Sequence, residues 1–118
     1  MPVKSEFVEY LIEMLQPLGA IRARSMFGGW GFYADERLFA IVADEGFYVK
    51  VDDVSRGEFE ARGLQPFRYE VRETKAVMDY YEPPPEAMDD REILCAWARK
   101  GIEAAVRANA RKKPRKKK

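Results

Sequence analysis

The sequence predicts an α+β domain: an antiparallel sheet with its helices on one face, in two layers. Three observations carry this. Apolar residues recur at helical spacing near both ends of the chain. Between them, residues 21–51 and 67–80 alternate with a period of two and are rich in β-branched and aromatic residues. The breaks between the strand-like runs are short and polar, which makes sequential strands antiparallel neighbours. The expected order is one helix, three or four strands, a helix, two strands and a helix.

The first helix is expected over 5–18, with Phe7, Val8, Leu11, Ile12 and Leu15 on one face. Ser5 is its candidate N-cap, Glu6 suits the first turn, and Pro17 and Gly19 end it. Strands follow at about 21–27, 30–34, 37–43 and 46–51, broken at Asp35-Glu36-Arg37 and Asp44-Glu45-Gly46. Asp52-Asp53 then caps a short helix to about Arg62, with Val54 and Phe59 as its buried residues and Gly63 as its C′ glycine. Two further strands are expected over 67–72 and 75–80. Pro83-Pro84-Pro85 enforces an extended connector. Asp89 and Glu92 have capping-box spacing at the start of a last helix over 90–108, which turns Ile93, Leu94, Trp97, Gly101, Ala104 and Ala105 inward. Residues from Lys112 onward, interrupted by Pro114, are expected to be disordered. The domain division is therefore 1–110 for the globule and 111–118 for a basic tail.

Composition narrows the function classes. The chain has 118 residues, 47% of them hydrophobic, enough for one domain with a real core. No apolar run approaches the roughly 18 residues of a membrane span. With no export signal and a single cysteine, Cys95, a cytoplasmic location is expected. Histidine is absent, and with it the commonest metal ligand and general base. The segment 111–118, RKKPRKKK, holds seven of the 21 basic residues; the other 14, against 20 acidic ones, leave the globule at −6. On this average, only the tail is an electrostatic footprint for nucleic acid.

Five features could carry chemistry. Phe27-Gly28-Gly29-Trp30-Gly31 is glycine-rich, but it lies between two strands and lacks the following helix and Lys of a phosphate loop, so it reads as a tight turn or glycine-marked bulge. Cys95 has no histidine base and reads as a structural thiol. Asp52-Asp53, Asp89-Asp90, Asp79 and Glu82 could pair for metal or acid–base work, but two of these pairs stand where helix caps want Asp. Tyr80-Tyr81-Glu82-Pro83-Pro84-Pro85 reads either as a partner-binding edge or as a strand end followed by a spacer. The tail supplies the candidate nucleic-acid contacts: Arg111, Lys112, Lys113, Arg115, Lys116, Lys117 and Lys118.

Arg24-Ser25-Met26-Phe27-Gly28-Gly29-Trp30-Gly31-Phe32-Tyr33 resembles the opening of the TfoX N-terminal domain family, proteins linked to bacterial natural competence. The similarity continues through Leu38-Phe39-Ala40-Ile41, Phe47 to Val51, Gly63-x-x-Pro66-Phe67, Met78 to Pro84 and the helix with Trp97, covering about residues 5–106. The resemblance implies an α+β fold similar to secretion-chaperone-like domains. It also implies a non-catalytic regulatory or adaptor role in transcriptional control, and it brings no catalytic residue, cofactor or metal. The expected partner is a protein, such as the transcription machinery or a transcription factor, bound by a monomer or homodimer. Its candidate surface is Arg24, Met26, Phe27, Gly28, Gly29, Trp30, Tyr80 and Tyr81. Two alternatives stand beside this reading: a weak nucleic-acid accessory acting through the tail, and a small-ligand enzyme using the glycine-rich segment.

Overall fold

The computed structural model describes residues 6–26, 29–43, 46–71 and 74–112, with side chains for all of these except 26, 68–71, 74–78, 109 and 111–112. It is an α+β fold: one six-stranded antiparallel sheet and three α-helices. Helix α1 spans Glu6–Met14 and continues into a 3₁₀ turn at Gln16–Leu18. The expected helix to residue 18 therefore tightens early, because Pro17 cannot donate an α-helical hydrogen bond. Strands β1 (Ile21–Met26), β2 (Gly29–Ala34), β3 (Arg37–Ala43) and β4 (Gly46–Lys50) pair in sequence. Helix α2 (Arg56–Ala61) leads to β5 (Pro66–Val71) and β6 (Thr74–Tyr81). The strand order is β1-β2-β3-β4-β6-β5, so β6 inserts between β4 and β5. It pairs with β4 only through Val49↔Tyr81 and Lys50↔Tyr80.

The glycine segment differs from expectation. Phe27 and Gly28 lie outside the described residues, and β2 starts at Gly29, so Gly29, Trp30 and Gly31 are ladder residues rather than a turn. A Cβ on Gly29 would sit 2.2 Å from the Val42 carbonyl oxygen, a closeness only glycine tolerates. The observed bulge lies instead across Phe32/Tyr33, where Phe32 pairs with Ala40 and Tyr33 with Leu38. The extra residue is Phe39, and both Phe39 and Ala40 are fully buried.

Caps explain the helix boundaries. Asp52 Oδ1 accepts from the amides of Val54 and Ser55, both at 3.1 Å, so it closes the turn that leads into α2. Regular helix begins only at Arg56, and Val54, expected in the core, is 66% exposed on that turn. Gly63 has φ +73 and Leu64 N donates to Phe59 O, the expected C′ arrangement. The last helix, α3 (Arg91–Lys112), is capped by Asp90 rather than Asp89: its Oδ1 accepts from Glu92 N at 3.0 Å and Ile93 N at 3.2 Å. Asp89 closes a 3₁₀ turn, Pro85–Asp89, that follows the buried Pro83 and Pro84. Because α3 runs to Lys112, it carries the first two residues of the basic segment, Arg111 and Lys112; residues 113–118 lie outside the described residues.

All three helices share one core. Val8, Leu11 and Leu15 of α1, Phe59 of α2 and Leu94, Cys95, Ala98 and Ala105 of α3 cluster with Phe32, Ala40, Val42, Phe47, Val49 and Tyr81 of the sheet. The pairings Phe32↔Ala40, Ala40↔Val49, Val42↔Phe47 and Val49↔Tyr81 put these sheet residues on one face. Phe59 is the keystone of the α2 side, with its ring 5.8 Å from Tyr81 and 4.8 Å from Trp97. Trp97, expected to anchor α3 to the sheet, is half-buried and packs on α2 instead, between Arg62 and Lys100 at 5.6 and 5.3 Å from its ring. Among the described residues, no helix is long and apolar enough to cross a membrane.

Candidate partner interface

A sheet residue points to the opposite face from its neighbours, so the inward set fixes the outward one. The outward rows are Arg22↔Tyr33↔Leu38 and Arg24↔Gly31↔Ile41↔Tyr48, with Lys50↔Tyr80 beside them. The described helices contribute their buried residues to the other face. On the outer face Arg22 and Arg24 are exposed, and Tyr33, Leu38, Ile41, Tyr48 and Lys50 are half-buried.

The cations here are held by rings. The Arg24 guanidinium carbon lies 5.7 Å from the Tyr33 ring centre, and Lys50 Nζ lies 5.6 Å from that of Tyr80. Tyr48 and Phe67 stand 5.0 Å apart on the same side. Tyr80 is only 8% exposed. Burial, reinforced by the nearby Tyr33 phenol and by Asp79, pushes the Tyr80 hydroxyl up to about 12. It is a neutral phenol at any physiological pH, and the described side chains of the face carry net positive charge.

The acidic candidates are engaged in structure. Asp52 receives Arg107 Nε at 2.7 Å and Nη2 at 3.0 Å, a bidentate clasp from α3 to the end of β4. The Arg107 hydrogen bonds, aided by Ser55 and opposed by burial, hold the Asp52 carboxyl well below the usual carboxylate range. Asp53 and Asp79 share Arg56, at 3.1 and 2.9 Å. Glu82 accepts from Gln65 N, and Asp90 caps α3. Cys95 is buried, its Sγ donates to Met14 O at 3.3 Å, and burial pushes its thiol up. With Arg91, which donates to Glu13 O at 2.9 Å, it satisfies carbonyls at the end of α1.

A profile of the TfoX N-terminal domain matches residues 13–105. The chain belongs to the TfoX N-terminal domain family. It is similar to the DNA transformation protein TfoX1 of Aliivibrio fischeri, with 30% identity over 78 residues, which cover 66% of this chain and 37% of that relative. The chain therefore matches little more than a third of the relative's length.

In this TfoX N-terminal domain, the described residues among those singled out from sequence do not form one surface. Arg24 is on the outer face, and the backbones of Met26 and Gly29 pair at that edge. Trp30 faces inward, half-buried against the core. Tyr80 and Tyr81 point to opposite faces: Tyr80 lies beside Lys50, while Tyr81 sits in the core and donates to Glu60 at 2.7 Å. The Tyr-Tyr-Glu-Pro run is thus a strand end and a buried spacer. The sequence reading did not single out Tyr33, Leu38, Ile41 and Lys50, which the outer face displays. The available signal was apolar content on both parities of β2 to β4, where a face exposed only to water would alternate with polar residues.

Proposed function

We propose that this domain is a non-catalytic regulatory or adaptor module that binds a protein partner through the outer face of its sheet. The observation that carries the reading is that face itself: Tyr33, Leu38 and Ile41 lie between ring-held cations, with the described helices packed on the other side. Aromatic, aliphatic and arginine side chains in this arrangement match the centre and rim of protein interfaces. The structural engagement of Cys95, Asp52, Asp53, Asp79, Glu82 and Asp90 supports binding over catalysis. The name of the A. fischeri relative supports a setting in DNA transformation. Control of transcription is part of the proposal.

A photo-crosslinking residue placed at Ile41 tests it in the native cell. The expected result is a discrete protein adduct from position 41 and none from the exposed helix position Ala96. Equal adducts from both positions, or none from Ile41, would overturn the reading.

A second reading, non-specific nucleic-acid contact through 111–118, is favoured by one observation. Helix α3 extends to Lys112 and so carries the start of the basic segment on helical backbone.

A further inference from the structure

We infer that the outer sheet face recognises a protein segment that presents acidic side chains around an apolar centre. This deepens the proposed function and rests on it. Residues outside 111–118 carry −6, yet the described side chains of this face include Arg22, Arg24 and Lys50 and no carboxylate. At its edge Glu36, on the β2–β3 turn, lies 3.9 Å from Arg22, with both side chains largely exposed. The acidic excess lies on the helical side instead, with Glu6, Glu9 and Glu13 along α1, Asp52 and Asp53 before α2, and Glu86, Asp89 and Asp90 before α3, although α3 itself carries more cations than acids. An acidic partner is therefore repelled around α1 and the segments before α2 and α3 and drawn to the sheet face, which biases its orientation as it approaches.

The apolar centre decides between protein and nucleic acid. Leu38, Ile41 and the Tyr33 ring lie among the cations, where a phosphate backbone gains nothing from them. Nucleic-acid interfaces are more polar and more densely positive than three cations, one shared with Glu36, provide. Apolar and aromatic contacts inside a charged rim suit a folded or folding peptide. Arg24 and Lys50 are already held by Tyr33 and Tyr80, so binding costs them less side-chain freedom. They sit on β1 and β4, three strand steps apart across the sheet and two residues apart along it, or about 16 Å between backbone positions at the spacing of a sheet. That separation sets the distance between the partner's acidic positions.

The test is an amide chemical-shift titration of the full chain with three probes: a short amphipathic peptide of Glu and Leu, its Lys-for-Glu counterpart, and oligothymidine. The Glu peptide is expected to shift amides of the outward residues of β1 to β4. Its binding should weaken roughly tenfold between about 50 and 300 mM salt. It should fall by a similar factor in the Arg24→Glu/Lys50→Glu variant and stay unchanged in Glu9→Lys on α1. If the charge reversal unfolds the protein, as its spectrum would show at once, Arg24→Gln with Lys50→Gln gives the same comparison. Equal binding of the Lys peptide, shifts confined to the helices, or tighter capture of oligothymidine on this face would each overturn the inference. An Ile41 adduct formed without preference for the Glu peptide would sink the partner's chemistry alone; loss of the Ile41 adduct would sink the docking face as well.

Discussion

A methyl group on Gly101 would meet Val49 Cγ1 at 2.6 Å and the Phe39 carbonyl oxygen at 2.7 Å, so α3 lies as close to β3 and β4 as a helix without a side chain permits. Alanine is about 1 kcal/mol the better helix former, but a backbone oxygen cannot yield as a flexible side chain can. Gly101→Ala is therefore expected to destabilise the fold by about 1–3 kcal/mol in chemical denaturation; a stabilised variant would show that the contact is looser than described. Asp52 gives a prediction in pH. Its folded pKa is depressed, so its contribution is present above the unfolded value of about 3.9 and is lost as pH falls through the folded value. Asp52→Asn should cost about 1–3 kcal/mol at neutral pH. Urea titrations at successive pH values should show the difference from wild type narrowing below about pH 4.

At the scale of elements, the β2–β3 turn is made from Asp35 at φ +55 and Glu36 at φ +68, flanked by the pair Ala34↔Arg37. A two-residue hairpin with both central residues left-handed matches the twist of its strands, but it holds a glutamate where glycine is preferred. Glu36→Gly should therefore raise stability by about 1 kcal/mol, read as a higher melting temperature. The junction of α2 with α3 makes the opposite kind of prediction. Phe59 is fully buried and touches both Tyr81 and Trp97, whereas Trp97 is half-buried. Phe59→Ala should cost about 3–5 kcal/mol, and Trp97→Ala less, about 2–3. The reverse order in a thermal melt would mean that Trp97, not Phe59, anchors α3.

For the whole molecule, charge is the organising property. If the basic segment acts on nucleic acid as the second reading has it, contact with about five phosphates gives a slope of log K against log salt near −4 to −5. Replacing the seven basic residues of 111–118 by Gln should abolish that binding and leave the melting temperature nearly unchanged. Residual salt-dependent binding of the substituted protein would move the nucleic-acid site onto the sheet.

The sequence by itself determined the fold class and the kind of the main elements, and their ends to within a few residues, but left open whether three or four strands precede α2. These follow from local chemistry: helical spacing in α1 and α3, β-rich runs between polar breaks, Gly63 after α2 and an Asp before α3. The motif run from Arg24 to Tyr33 also pointed to the family. Tertiary structure decided which side of each strand faces the core. Strands β2 to β4 are apolar on both parities, and the bulge at Phe39 shifts the parity partway along β3, so that Leu38 and Ile41, three residues apart, share the outer face. No period-two reading survives such an insertion. The same register separated Tyr80 from Tyr81, and it gathered Arg22, Arg24 and Lys50 into a positive face that the globule's average of −6 conceals. Net charge is a sum over the chain, whereas a partner meets only the residues that pairing brings to one side.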